Sequence, residues 1–261
     1  MLLDRFRLQD KVAIVTGGGR GIGRGIALGF GDAGAKVVVA ARREETLKDV
    51  VDALQAKGSE GLAVPTDVND PEALDRLVSQ TMDRFGRIDV LVNNAGGTPP
   101  LIALQTSDEV FEQAFHFNVT TAFSLARRVI PHMLEGQGAI LNMSSAMSHL
   151  VDSGFVSYGT AKAALNHMTR LLAAEFAPKV RVNALAVGAV KTDALEAVVQ
   201  MDSLREAMID KTPMARLGEV EDVAAAALFL CSEAGSWVTG KVFEIDGGAV
   251  DSTWPMKIPG Y

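Results

Sequence analysis

Cysteine, tyrosine and tryptophan are scarce in this chain, and dense basic clusters are missing. Cys231 is the one cysteine in 261 residues, which excludes an intrachain disulfide and favours a reducing compartment. It closes the apolar run 224–230 and reads as a small buried side chain. Acids outnumber bases, 32 to 25, for a net charge of −7, so no nucleic-acid partner is expected. No apolar stretch reaches the ~20 residues of a membrane span. The charged start (Asp4, Arg5, Arg7, Asp10, Lys11) does not read as a signal peptide. A cytoplasmic protein with no membrane contact and no metal ligand set is the expectation. With only Tyr158 and Tyr261 present, a tyrosine in a patterned position stands out.

The chain does carry an ample apolar fraction, 48%, enough for a sizeable core. Short apolar runs at 12–15, 36–40, 61–64, 88–92, 139–143, 180–185 and 242–245 alternate with amphipathic segments near 21–33, 44–57, 71–85, 108–134, 156–177 and 219–231. Most runs are apolar on both faces, as a parallel sheet covered on both sides requires. The pattern predicts an α/β fold, a doubly wound parallel sheet of about seven strands. No linker or repeat interrupts it, so one domain over 1–261 is expected. Two irregular segments leave strand ends: 96–100, and 188–215 with Met201, Met208 and Met214. Ligands sit beyond the carboxyl ends of such strands, which makes both candidate walls of a site, the second a substrate loop or lid. The methionines suit an adaptable apolar pocket, and simple lid packing explains them as well.

Thr16-Gly17-Gly18-Gly19-Arg20-Gly21-Ile22-Gly23 joins the first strand to the first helix. Free N–H groups and the positive end of the helix dipole make that junction an anion site. Tyr158 and Lys162 lie at i and i+4 on a predicted helix, one turn apart on one face. A neighbouring ammonium favours the phenolate and lowers the phenol's pKa, making it a usable acid or base. The same spacing also fits a surface tyrosine beside a solvated lysine. Ser144-Ser145 follows the fifth strand and Asn93-Asn94-Ala95-Gly96 follows the fourth; each also fits a plain turn. Asn118 falls inside the helical stretch 108–134, where asparagine points to a local distortion or a buried polar role, unless its amide is merely solvated.

Together these features resemble the short-chain dehydrogenase/reductase family in its roughly 250-residue form. The resemblance spans nearly the whole chain: Thr16-Gly17-x-x-x-Gly21-x-Gly23, Asp67-Val68, Asn93-Asn94-Ala95-Gly96, Asn118, Ser145, Tyr158-x-x-x-Lys162 and Asp246-Gly247-Gly248. It implies a Rossmann-type fold and an oxidoreductase that interconverts a ketone and a secondary alcohol. Tyr158 would be the general acid/base, and Lys162 would lower its pKa and bind the nicotinamide ribose. Ser145, thirteen residues before Tyr158, would hold the substrate oxygen. Asn118 would hold a relay water. Cofactor contacts would come from Gly17, Arg20, Gly21, Ile22, Gly23, Arg42, Asp67, Val68, Asn94, Ala95, Gly96, Tyr158, Lys162, Val190 and Thr192.

NAD-selective members usually carry a carboxylate at the position of Ala41; here Arg42 follows, and an arginine suits a 2′-phosphate. NADP(H) is therefore the expected cofactor, with NAD(H) the alternative. The pair Val187-Gly188 stands where the family usually has Pro-Gly. Asn94–Gly97, Gly188–Leu195 and Ala227–Ser232 resemble bacterial 7α-hydroxysteroid dehydrogenases, which use an acid at the Ala41 position. A 3-oxoacyl thioester reductase is the other enzymatic reading, with Arg127, Arg128 and Arg216 as candidates for contact with an acidic carrier. A dinucleotide-binding regulator without turnover is the non-enzymatic one. The family usually forms homotetramers through helices matching 108–134 and 156–177. The tail, 254–261, could cover a neighbour or the site, or fray.

Overall fold

The computed structural model describes residues 1–193, 195 and 200–256. Seven strands, β1 (Val12–Thr16), β2 (Lys36–Ala41), β3 (Gly61–Pro65), β4 (Val90–Asn93), β5 (Gly138–Ser145), β6 (Val180–Val187) and β7 (Val242–Ile245), form one sheet. Their order is β3-β2-β1-β4-β5-β6-β7, and every neighbouring pair is parallel. Between them lie α1 (Gly21–Asp32), α2 (Glu44–Ala56), α3 (Pro71–Phe85), α4 (Asp108–Phe115), α5 (Thr121–Val129) and α6 (Val156–Phe176). α7 (Asp202–Asp210) and α8 (Val220–Cys231) lie between β6 and β7. Among the described residues no helix is long and apolar enough to cross a membrane.

Strand alternation divides the apolar residues between two cores. Ala13, Val15, Val37, Val39 and Leu141 pack with Ile26, Phe30 and Leu230. Val12, Ile14, Val38, Ala40 and Ile140 face the other way, onto Leu74, Leu77, Leu125 and Leu172. Both faces of the strands are thus dry, which is why the sequence shows continuous apolar runs. Each fully buried Leu, Ile or Phe contributes about 1.5–3 kcal/mol relative to exposure. The sheet order reverses between β1 and β4, and there the carboxyl ends of the strands part into a crevice.

Several expected boundaries shift. The stretch 108–134 is not one helix: α4 ends at Phe115, a π-helical turn spans His116–Thr120, and α5 follows. β5 runs on through Ser144 and Ser145, so these serines end the strand rather than follow it. β4 begins at Val90, two residues later than expected, although the Asp89 backbone already bonds to Val12 and Ala139 on the neighbouring strands. Ala194 and residues 196–199 of the lid segment, and residues 257–261 of the tail, lie outside the described residues.

Candidate active site

A cleft of about 1730 Å³ runs along the carboxyl ends of β1, β2, β4 and β5. Its lining includes Gly17, Arg20, Arg42, Asp67, Tyr158 and Lys162. At its β1 end, Gly17 and Gly21 take left-handed φ values of 62° and 51°, so the chain turns sharply into α1. A Cβ on Gly23 would sit 2.3 Å from the Gly17 carbonyl oxygen, so only glycine permits that approach. α1 starts with no side-chain cap and no acid in its first turn. Its first N–H groups are therefore left for an anion.

Asn94 braces this turn. Its Nδ2 donates to the carbonyls of Thr16 (2.9 Å) and Gly17 (3.3 Å), and the Thr16 hydroxyl accepts from the N–H groups of Asn94 and Ala95 at 3.0 Å. Asn94 thus positions the cleft wall. At the end of β2, Ala41, Arg42, Arg43 and Thr46 line the cleft. Neither Arg20 nor Arg42 has an ion-pair partner among the described residues, and both are exposed. Asp67 also faces the cleft, its Oδ1 accepting from the Asn69 backbone at 3.0 Å, while the cap of α3 is Asp70. Val68 is a neighbouring wall.

At the other end, α6 presents Tyr158 and Lys162. Lys162 is 4% exposed, its Nζ donates to the Met143 carbonyl at 2.8 Å, and it stands 5.7 Å from the Tyr158 ring centre. Among the described residues no acid neutralises it, and burial pulls its pKa down to about 8. The half-buried Tyr158 departs from the expectation of a lowered pKa. Burial raises it above the ordinary phenol value, against a smaller opposing effect of the Ser145 hydroxyl. The ammonium's own hydrogen bond goes to Met143, not to the phenol. Ser144 donates to the Lys162 carbonyl at 3.4 Å, so of the adjacent serines it is Ser145 that influences the tyrosine.

Asn118, 2% exposed, sits in the π-helical turn. Its Oδ1 accepts from the Gly97 N–H at 2.8 Å, and its Nδ2 donates to the Ala114 carbonyl (2.8 Å) and the Thr98 hydroxyl (3.1 Å). The asparagine therefore marks both a distortion and a buried polar role, locking segment 96–100 to the helix. A Cβ on Gly96 would lie 2.9 Å from Asn118 Oδ1 and 3.1 Å from Lys162 Nζ, so the two side chains flank one glycine. Thr192 lines the cleft and approaches Gly21. Val190 does not: its side chain, 4% exposed, belongs to the core, and its backbone bridges to Gly218. Cys231 is buried, its thiol pushed up to about 12.

Two features escaped the sequence reading. Thr46 lines the glycine-turn end of the cleft, where a Cβ on Gly19 would meet its hydroxyl at 2.5 Å. A hydroxyl in the first turn of α2 was the available signal. The buried chain Asn93–Asn142–Thr169, linked at 2.9 Å twice, ties β4 to β5 and α6 beneath the site. Asn142 inside an apolar run was its trace.

A family model described as enoyl-(acyl carrier protein) reductase matches residues 17–250. The chain belongs to the short-chain dehydrogenase/reductase family. It is an oxidoreductase of that family. An uncharacterized oxidoreductase of Mycobacterium tuberculosis is 48% identical over 99% of both chains. The 7α-hydroxysteroid dehydrogenase of Escherichia coli K12 is 39% identical over 95% of this chain and 97% of its own. A structure of 7α-hydroxysteroid dehydrogenase complexed with NADH and 7-oxo glycochenodeoxycholic acid superposes with a TM-score of 0.92 at 38% identity. That match covers 96% of this chain and 98% of the relative.

Proposed function

We propose that this oxidoreductase interconverts a ketone and a secondary alcohol with NADP(H), using Tyr158 as general acid/base. The observation that carries the reading is the half-buried phenol beside a buried ammonium that no acid among the described residues neutralises, at the end of a cleft that begins at an uncapped glycine turn. The cleft fits a dinucleotide: the first N–H groups of α1 suit the pyrophosphate, and Asp67 and Val68 suit the adenine. Arg20 and Arg42, without ion-pair partners among the described residues, suit a 2′-phosphate together with Thr46, where NAD-selective relatives would place a carboxylate. When bound, the nicotinamide supplies or accepts the hydride.

The chain's own residues manage the proton. Ser145 hydrogen-bonds the substrate oxygen, and Tyr158 donates its proton to that oxygen in reduction or withdraws one in oxidation. With its pKa raised, Tyr158 is a neutral phenol near pH 7, the state a proton donor needs. Lys162, with a value of about 8, is mostly charged at pH 7 and stabilises the phenolate left after donation. Asn118 is a positioning residue, since its amide holds segment 96–100. The nicotinamide amide would be met by Thr192 and by backbone near Val190.

A hydroxysteroid is the substrate class favoured by the match to a relative solved with a 7-oxo bile acid. Docking of an acidic acyl carrier finds less support, because Arg128 pairs with Asp75 and Arg216 with Asp222. Assembly as a homotetramer in the cytoplasm completes the reading; Phe123 on α5 and Leu171 on α6, 43% and 58% exposed, suit helix-to-helix contact. The test follows cofactor absorbance with NADPH and NADH against a ketone panel that includes 7-oxo bile acids. NADPH-linked turnover that requires Tyr158 is the expected result. A cofactor preference below roughly sixfold, about 1 kcal/mol, removes the arginine argument.

A further inference from the structure

His149, Glu244 and Asp246 converge outside the cleft, at the β7 edge of the sheet. Each offers one ligand atom, and the three atoms lie within 4.8 Å of one another. His149 Nε2 stands 3.7 Å from Glu244 Oε1. The geometry points to a site for a first-row divalent cation, Zn²⁺ for preference, held by one imidazole and two carboxylates. Bonds of ~2.0–2.2 Å to such ligands place neighbouring donor atoms roughly 3–3.5 Å apart, so small side-chain rotations close the set. The imidazole selects a transition ion over Ca²⁺ or Mg²⁺.

Three further observations support a cation here. First, no lysine or arginine pairs with Glu244 or Asp246 among the described residues, so two carboxylates face each other and a histidine without a fixed countercharge. Second, Asp246 is half satisfied. Its Oδ1 accepts from the Gly248 N–H at 2.9 Å, while its Oδ2 is sealed from solvent with no donor at all. A sealed carboxylate oxygen without a partner is costly, and a cation removes that cost. Third, the imidazole has an outer support: its Nδ1 lies 3.4 Å from the Ser148 hydroxyl, which accepts from Asn166 Nδ2 at 2.8 Å. Bracing the far ring nitrogen in this way is characteristic of a ligating histidine.

The ion's role would be to pin two turns. His149 follows the strand end that carries Ser145, and Asp246 opens the Asp246-Gly247-Gly248 turn after β7. Gly247 in turn accepts from the Met214 N–H at 3.1 Å, at the base of the lid segment. Sequence alone led to the expectation of no metal, because His149 is far along the chain from Glu244 and Asp246.

The test uses tag-free, chelator-stripped full-length protein. Zn²⁺ binding is measured by calorimetry and Co²⁺ binding by visible absorption, for the wild type and for the single variants His149→Gln and Glu244→Gln. Both side chains are exposed, and far-ultraviolet circular dichroism checks that the variants fold. One Zn²⁺ per chain is expected, with affinity lowered on the order of tenfold or more in each variant and the Co²⁺ bands lost. Zn²⁺ should raise the thermal midpoint of the wild type alone. Absence of saturable binding, or equal binding by the wild type and both variants, overturns the proposal. None of these readouts depends on turnover.

Discussion

The two ends of the β-sheet treat charge in opposite ways. At the amino ends, buried charges are fully bonded. Asp89, 7% exposed, accepts from the Val12 N–H (3.0 Å), from Arg87 (2.8 and 2.6 Å) and from Lys11 (3.3 Å). Burial pushes its pKa up, but these donors prevail and hold it below the usual carboxylate range. Arg181 likewise donates to the carbonyls of Leu230 and Gly235 at 2.6 and 2.9 Å, closing the end of α8. At the carboxyl ends, Tyr158 is desolvated, and among the described residues Lys162 is buried without an acid and Arg20 and Arg42 have no ion-pair partner. The amino ends stabilise the fold; the carboxyl ends leave their groups free for a ligand, at some expense in stability.

The largest expected break in this contrast comes from Tyr158→Phe. It should lower turnover by ~10²–10⁴, the usual weight of a proton-transfer group, with dinucleotide binding and fold unchanged. Initial rates and a cofactor titration check it. Lys162→Met should also cost on the order of 10² in rate, yet leave the free protein as stable or more so, because it removes a buried, unpaired charge. A denaturant melt that shows a marked loss of stability would refute that half of the comparison.

The opposite outcome is expected at the other end. Asp89→Asn should destabilise the protein by about 2 kcal/mol, less than a fully buried pair because Arg87 and Lys11 reach solvent. Cofactor affinity of the surviving folded protein should not move. A smaller effect, roughly a tenfold loss of preference for NADPH over NADH, is expected of Arg42→Ala.

The pH profiles of stability sharpen the contrast last. Asp89 titrates lower in the folded state, so its contribution is present above the unfolded carboxylate value of ~3.9 and fades as pH falls through the folded one. Lys162 also titrates lower when folded, about 8 against 10.5, so the slope has the same sign, but here it records a burial penalty at neutral pH that is relieved as the ammonium loses its proton. Between those values the unfolded chain holds the extra proton, so the free protein should gain stability as pH rises from 8 to 10. Lys162→Met should flatten that rise, which chemical denaturation at a series of pH values would show.

Most of the strands and their parallel pairing could be anticipated because parallel strands buried on both faces leave continuous apolar runs. The proposed catalytic set could be named for a different reason: its spacing, from Ser145 to Tyr158 to Lys162, is fixed within the chain. Helix 108–134 was misjudged because the π-helical turn at Asn118 depends on bonds to Gly97 and Thr98, some twenty residues away. The lowered phenol pKa was misjudged because spacing shows which charge is near but not how much water is lost.

Period and spacing are local properties, so the sequence by itself determined the alternation of strands and helices, the glycine turn and the shared helix face of Tyr158 and Lys162. Only the tertiary structure decided which groups are desolvated, that Asn94 and Asn118 brace walls, that Val190 turns into the core, and that His149 meets Glu244 and Asp246. Burial and long-range contact arise when distant segments exclude water from one another, and that information is absent from any single stretch of chain.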